Sequence, residues 1–280
     1  MRMPFRFGST TLTASAVLHV RMEIQIGNCG RFEGWSADMI APKWFEKSDD
    51  KSYRQCLDEL LAVAQNAATI YKDLGKRPIR FFDLWLQAHR VAKVWSRTNK
   101  VNDLMGSNGP SLMERALIDA VGIYSGLTYH EMLANNILGI DFKAIHNELD
   151  VMSVKDVISK RPVESLEIRH TVGLVDPLLD QDIDEEFRIK DGLPQSLESY
   201  IREQGIRYFK IKIGGDSYTD FERLRDICGL LDSRCQNYFV TLDGNEQYNN
   251  VDVLVRLLEM IKKGLPNLFD RILYVEQPLD

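Results

Sequence analysis

Hydrophobic positions in the first half of the chain change from a period of two to a helical period. Residues 11–26 alternate well enough to form a β-strand, and the glycine-containing turn after them predicts a hairpin with a partner strand at 31–37. Helical spacing then recurs in four segments, which are 52–74, 81–96, 110–125 and 129–138. Pro110 followed by Ser111 is typical of a helix start. The first half is therefore predicted to be α+β.

The second half, after about Glu167, alternates between strand-like and helix-like segments. Strands are predicted at 168–176, 206–215, 237–245 and 271–278. Helices are predicted between them at 193–205, 218–235 and 251–264. This alternation indicates right-handed βαβ crossovers and a parallel sheet. Such a sheet is either half of a (β/α)8 barrel or part of an open doubly wound sheet.

Two lysines lie on one face of the second predicted strand. Side chains alternate across a strand, so Lys210 and Lys212 point away from the apolar Phe209, Ile211 and Ile213. The apolar face should pack under helices, which places both ammonium groups on the opposite face. If that face is a barrel interior, burial and mutual repulsion should lower the pKa of each lysine and make one a usable base. The alternative is an edge strand that carries a solvated lysine pair.

Carboxylates follow at the ends of the next two strands. Asp243 and Asn245 share a face at the end of the third strand, and Glu276 ends the fourth. Active sites of (β/α)8 barrels form at this rim from several strand ends. Two carboxylates on neighbouring strands supply the hard oxygen ligands that Mg²⁺ prefers. The order Lys-x-Lys, Asp-x-Asn, Glu on successive strands therefore predicts a metal-assisted site, with a purely structural salt-bridge cluster as the alternative.

Composition and charge narrow the function classes. Of 280 residues, 44% are hydrophobic, and 35 basic against 41 acidic side chains give a net charge of -6. A nucleic-acid partner is not expected without a basic face, and no apolar run is long enough to predict a membrane span. The N-terminus is too polar for a signal peptide, so a cytoplasmic location is predicted. The four cysteines form no CxxC pair and are expected to be reduced.

These motifs together resemble the enolase superfamily, in its mandelate racemase and muconate-lactonizing branch. The segments YFKIKIGGD, VTLDGNEQY and LYVEQPL resemble that branch's Lys-x-Lys strand and its first two metal-ligand strands. SLMERALIDAVG resembles the helix that closes the family's capping domain, and HTVGLVD its first barrel strand. MPFRFGSTTLTAS, residues 3–15, resembles the capping-domain loop over the active site.

The resemblance implies a fold of two domains and a shared first reaction step. The fold would be an α+β capping domain at 1–165, followed at 166–280 by an incomplete (β/α)8 barrel with the first four strands only. In the family's first step the substrate carboxylate binds Mg²⁺, a base removes the adjacent proton, and the metal stabilises the resulting enediolate. The outcome would be racemisation or epimerisation, cycloisomerisation or dehydration of a small carboxylate.

Carried over by motif position, the resemblance assigns a role to each site residue. Lys212 would be the base, and Lys210 would help neutralise the substrate carboxylate and lower the pKa of Lys212. Asp243 and Glu276 would ligate Mg²⁺. Residues that contact the substrate or support those that do would be Asn245, Phe5 and Arg6.

The chain departs from the family pattern in length. The family's barrel has eight strands, whereas four are predicted here, and a whole barrel needs roughly 250 residues. The third metal carboxylate and the acid or base of the opposite face would come from later strands. The chain is therefore expected to be a fragment that aggregates or dimerises through its sheet edges and has little activity, while the full-length protein would be a homo-oligomer.

Two other functions stay open at this point. The chain could be an inactive remnant that acts at most as a binding or assembly partner. It could also be an unrelated βαβ enzyme with a phosphate site, but the Gly214–Gly215 pair is not a phosphate-binding loop by itself.

Overall fold

A computed structural model describes residues 1–7, 10–47 and 50–279 of the chain. Gly8 and Ser9, within the segment that resembles a capping-domain loop, and Asp280, the end of the predicted barrel range, lie outside the described residues. The chain divides into two compact units. The helical unit is Ser15–Glu164, and the sheet unit combines Met1–Ala14 with Ser165–Asp280. The division after Glu164 is one residue from the predicted boundary, but Met1–Ala14 belongs to the sheet unit.

The helical unit contains an antiparallel hairpin and a helical bundle. Strands β3 (Val17–Gln25) and β4 (Arg31–Met39) form the hairpin. The six α-helices described in this unit are α1 (Pro42–Phe45), α2 (Tyr53–Leu74), α3 (Phe81–Thr98), α4 (Asp103–Ser125), α5 (Tyr129–Ala134) and α6 (Val154–Val157). The hairpin and the existence of the four predicted helices are confirmed, but the helix predicted at 129–138 ends at Ala134. Residues 11–26 are not one strand, because β2 (Thr10–Leu12) pairs instead with β1 (Phe5–Phe7).

Helix α4 begins earlier than the sequence predicts. The side chain of Asn102 caps it by accepting a hydrogen bond from the Met105 amide at 2.8 Å, so Pro110 lies inside the helix and does not start it. The prediction was wrong because a good N-cap lies upstream and tertiary packing outweighs the lost hydrogen bond of the proline. Gly109, the preceding residue, packs directly on the backbone carbonyl of Val63 in α2.

Glu114 of α4 is a half-buried carboxylate that makes the stability of the helical unit depend on pH. Burial raises its pKa, although the indole N–H of Trp85 donates to Oε2 at 2.8 Å and opposes the shift. A raised carboxyl pKa costs stability as pH rises through it. We expect Glu114→Gln to raise the Tm of the helical unit at pH 7. The gain should fade as pH falls through the raised pKa of the folded chain and be absent below about pH 4.3. The exposed Glu148→Gln is the control, and an equal gain at both pH values would contradict the prediction.

The sheet unit is built around four parallel strands in the order β5-β6-β7-β8. These strands are β5 (Arg169–Val172), β6 (Tyr208–Lys212), β7 (Phe239–Asp243) and β8 (Ile272–Glu276). The α-helices that connect them are α7 (Leu197–Gln204), α8 (Ser217–Arg234), α9 (Val251–Gly264) and α10 (Pro266–Phe269). The predicted alternation and the parallel pairing of neighbouring strands are therefore confirmed.

One face of this sheet, the helix face, is buried under α7, α8 and α9. Phe209, Ile211, Val240 and Leu242 lie on it and form a single core with apolar residues of the three helices. The opposite face, which carries Lys210 and Lys212, is the lysine face. The period of two in β6 therefore assigned both faces correctly.

Other bulk features follow the sequence. All four cysteines are free thiols, and Cys29 alone of them is exposed. Within the described ranges, each helix is too short or too polar to span a bilayer.

Candidate active site at the ends of three parallel strands

Lys212 is buried on a central strand. β6 pairs with β5 on one side and β7 on the other, so it is not an edge. The residue is 2% exposed, which rules out the alternative of a solvated lysine pair. A buried ammonium is costly unless charged partners and hydrogen bonds offset its desolvation.

Residues of β7 and β8 supply those partners. The Lys212 ammonium donates to Asp243 Oδ2 and to Asn245 Oδ1, both at 2.6 Å. Lys210 forms an ion pair with the same Asp243 oxygen at 2.6 Å and a second ion pair with Glu276. Asp243 lies opposite Lys212 and Glu276 in the strand register, so the pairing of adjacent strands places these side chains next to one another. The structure thus brings together five of the predicted site residues.

The environments of the two lysines push their pKa values in opposite directions. Burial lowers the pKa of Lys212, with a smaller contribution from the Lys210 charge, and outweighs the hydrogen bond to Asp243. Burial also disfavours charged Lys210, but its contacts with Asp243 and Glu276 dominate and raise its pKa. The prediction that both lysines have depressed pKa values is therefore wrong for Lys210, because β7 and β8 give it two anionic partners.

Asp243 is completely buried, yet it is held in its charged form. Burial alone would raise its pKa, whereas hydrogen bonds from Lys210, Lys212 and the Asn245 amide together lower it. The Asn245 amide donates to Oδ1 at 3.0 Å, which leaves Oδ2 for the two ammonium groups. The carboxylate is therefore stabilised by one neutral and two charged donors.

The loops after β7 and β8 are joined through unusual backbone conformations. Asn245, Glu246 and Gln277 have positive φ angles of 46°, 60° and 41°. The amides of Gly244 and Glu246 donate to the carbonyls of Glu276 and Gln277 at 3.1 and 2.7 Å. Strained residues persist only where surrounding contacts determine them, and they concentrate at functional sites. Here the strain accompanies a tight connection between the two loops that follow the carboxylates.

Arg169 is a site residue that the sequence analysis missed. From the start of β5 its guanidinium donates to the hydroxyls of Tyr274 and Thr241 at 2.6 and 3.0 Å, and it lies 3.9 Å from Glu276 Oε2. Strand parity was the available signal, because Arg169 shares a face with Thr171, which pairs with Lys210. The lysine face therefore carries three cationic and two anionic side chains around one site.

Phe5 and Arg6, predicted to contact or support the substrate, lie elsewhere in the sheet unit. Phe5 lines a cavity of about 360 Å³ with His170, Val172 and Tyr200. His170 and Val172 pair with Phe209 and Ile211, so this cavity opens on the helix face. Arg6 is exposed on β1, which pairs antiparallel with β2. A role for either residue at the lysine face stays a prediction.

Two carboxylates of the lysine face could contribute ligands to a metal ion. Asp243 and Glu276 are hard oxygen donors on adjacent strands. Glu276 Oε1 is buried and, among the described residues, receives no hydrogen bond of normal geometry, although Lys210 contacts it as an ion pair. No group of three or more potential ligands (His, Cys, Asp or Glu) occurs within the described part of the chain. These two side chains would fit a cation whose other ligands come from water, substrate or further protein.

Comparisons with known proteins identify the fold. No protein-family model matches the chain, and no curated protein matches it. A mandelate racemase/muconate lactonizing protein from Herpetosiphon aurantiacus has a similar structure, with a TM-score of 0.56 at 16% identity over 99% of this chain and 57% of that chain. The resemblance predicted from the strand-end motifs is therefore confirmed for the fold. The chain spans 57% of the length of that solved structure.

Two further solved structures are less similar. A mandelate racemase/muconate lactonizing enzyme from Roseiflexus sp. has a TM-score of 0.48 at 15% identity, over 94% of this chain and 59% of that chain. An enolase family member from Agrobacterium tumefaciens with homology to dipeptide epimerases, solved with sodium and L-Ala-L-Glu, has a TM-score of 0.41 at 15% identity, over 95% of this chain and 62% of that chain.

Proposed function

We propose that this chain carries part of the active site of a magnesium-dependent enzyme of the enolase superfamily, which removes the proton adjacent to a substrate carboxylate. One observation carries the proposal most directly. A buried lysine contacts an aspartate at the end of the next strand and an asparagine in the loop after it, beside a glutamate from the following strand. Racemisation or epimerisation, cycloisomerisation and dehydration all begin with this step.

Lys212 has the properties of the base. Its amine is buried and its pKa is lowered, so loss of the ammonium proton is easier than for an exposed lysine. A base works best when its pKa is near the working pH. Asn245 and Asp243 fix the direction of the Nζ atom, which limits the motion needed to reach a substrate proton.

The other charges of the lysine face suit a carboxylate substrate. Lys210 forms an ion pair with Glu276, and the Arg169 guanidinium lies 3.9 Å from a Glu276 oxygen. Both cations would attract and orient an anionic ligand. When bound by Asp243 and Glu276, Mg²⁺ would act as a Lewis acid toward a substrate oxygen. The partner is thus proposed to be a small carboxylate, and the cytoplasmic location and homo-oligomeric assembly stay predictions.

Solvent exchange tests the proposed step without knowledge of the final product. The chain is incubated in D₂O with Mg²⁺ and two substrate panels, sugar acids and N-acylated amino acids or dipeptides, and deuterium next to the carboxylate is followed by NMR. Because the chain carries part of the proposed site, we expect its exchange to be slow but faster than without protein. Lys212→Met should lower the exchange rate by about 10²-fold or more, within the range for loss of a general base. The exposed Lys263→Met is the matched control and should exchange at the wild-type rate.

Two outcomes would contradict this proposal. One is exchange that Lys212→Met leaves unchanged. The other is an absence of exchange in a wild-type chain that binds the metal, which would favour the inactive binding or assembly partner instead.

A further inference from the structure

Asp220 is a buried carboxylate that the proposed chemistry does not use. It lies in the first turn of α8 and is 5% exposed. Oδ1 accepts a hydrogen bond from the Gly214 amide at 2.7 Å, and Oδ2 accepts from the Gly215 amide at 3.0 Å and from the Tyr248 hydroxyl at 2.5 Å. A charge this deeply buried persists only when such donors offset its desolvation.

The three donors belong to two different loops. Gly214 and Gly215 follow β6, the strand that carries both lysines, whereas Tyr248 belongs to the loop that follows β7. Tyr248 is fully buried, and its amide donates to the Pro278 carbonyl at 3.0 Å in the loop after β8. The chain from Asp220 through Tyr248 to Pro278 therefore connects the ends of three strands that bear site residues.

The two loops are also in backbone contact beside this carboxylate. Gly215 has a φ of +96° and packs so closely on the backbone carbonyl of Gln247 that a Cβ atom would overlap it. The Gln247 side chain in turn donates to the Asn245 carbonyl at 3.1 Å. Any shift between the loops would therefore be transmitted to Asn245, which receives a hydrogen bond from Lys212.

We propose that Asp220 is a positioning residue that holds the loops after β6 and β7 in register, and that this register sets the distance from Lys212 to Asp243 and Asn245. Asp220 is not a catalytic residue, because its carboxylate contacts two backbone amides and a buried phenol. The expectation that this register affects metal binding rests on the proposed function. The coupling of the two loops does not.

Amide hydrogen exchange of the full chain tests the coupling directly. The reporter amides in the second loop are those of Glu246 and Tyr248, which donate to carbonyls of the loop after β8. We expect Asp220→Ala to speed exchange in residues 213–216 and 244–250 by at least about tenfold, which corresponds to about 1.4 kcal/mol. Tyr248→Phe removes one hydroxyl only and should speed exchange in 244–250 alone.

Asp216→Ala is the matched control. Asp216 caps the same helix by accepting from the Thr219 amide at 2.8 Å, four residues before Asp220. Its loss removes this cap and none of the three hydrogen bonds that the Asp220 carboxylate accepts, so exchange at residues 244–250 should stay unchanged. Unchanged exchange at 244–250 in both Asp220→Ala and Tyr248→Phe would overturn the proposal. Faster exchange at 244–250 in Asp216→Ala, equal to that in Asp220→Ala, would also overturn it.

A Mn²⁺ titration followed by EPR separates positioning from general stabilisation. Well below the unfolding temperature, we expect Asp220→Ala to weaken Mn²⁺ binding about tenfold, while Asp216→Ala binds as the wild type does. Equal affinities in all three proteins would limit Asp220 to a structural role and overturn the inference. A wild-type chain that binds no Mn²⁺ would count against the proposed function, and the exchange data would still decide the role of Asp220.

Discussion

Replacing Asp243 by asparagine is expected to lower the free energy of unfolding of the sheet unit by about 3 kcal/mol. The carboxylate is completely buried and neutralises Lys212, which is itself 2% exposed. Without the carboxylate, Lys212 loses its anionic partner at 2.6 Å and keeps the neutral Asn245 oxygen as an acceptor. Lys210 keeps Glu276 and is partly exposed, so most of the loss should arise from Lys212.

The loss should depend on both partners of the ion pair. Breaking a buried pair costs far more than replacing the whole pair by apolar groups, because a single uncompensated charge is left behind. Adding Lys212→Met to Asp243→Asn should therefore cost less than the sum of the two single changes. A double-mutant cycle measures this coupling, and additive losses would contradict it.

The stabilisation that the Asp243 carboxylate gives the sheet unit should also disappear at acidic pH. Its pKa is lowered in the folded chain, so its contribution is present above the ordinary carboxyl range and is lost as pH falls through the folded value. The difference between wild type and Asp243→Asn should thus be largest near pH 7 and shrink below about pH 3.9. Asp226→Asn, an exposed carboxylate of α8, is the control and should change stability little at either pH.

The two units can be followed separately in one experiment. The four tryptophans are Trp35, Trp44, Trp85 and Trp95, and all belong to the helical unit. Their fluorescence therefore reports on the unit that the substitution leaves untouched. Exchange of the amides in β6 and β7 reports on the sheet unit. A shift of the tryptophan transition equal to the shift in the sheet unit would contradict a local effect.

The strand-end cluster was predictable from the sequence because its geometry depends on local periods. The period of two in β6 placed both lysines on one face, and parallel order placed Asp243 and Glu276 beside them. Apolar runs with helical spacing likewise located most helices. These patterns depend on neighbouring residues, and the burial of one face then fixes the register of each strand.

The missed features depend on contacts between distant parts of the chain. Arg169 reaches Tyr274 across 105 positions, and no local pattern shows that pairing. The pKa of Lys210 was predicted in the wrong direction, because charge repulsion within β6 is visible in the sequence and compensation by two other strands is not. The start of α4 was misplaced because local propensity gave the proline more weight than packing does.

Gly215→Ala is expected to destabilise the sheet unit by about 3 kcal/mol, while the same substitution at Gly229 should stabilise it. A φ of +96° disfavours alanine by about 1–3 kcal/mol. The new Cβ would also overlap the Gln247 carbonyl, which belongs to backbone and cannot rotate away, and overpacking typically costs about 1–3 kcal/mol more. Gly229, in α8, is exposed and has open space around it, so alanine there should gain about 0.5–1 kcal/mol.

The pair of substitutions separates close packing of the loops from the general effect of alanine. Both add one methyl group to the same unit, and exchange of the β6 and β7 amides measures both. If the loops after β6 and β7 meet as closely as Gly215 indicates, Gly215→Ala must push them apart. It should also weaken Mn²⁺ binding, because the loop after β7 carries Asn245 and follows directly on Asp243. Equal stability of the two variants would mean that the loops can separate at little cost, and the strand-end cluster would then lack the rigid support that the proposed role of Lys212 requires.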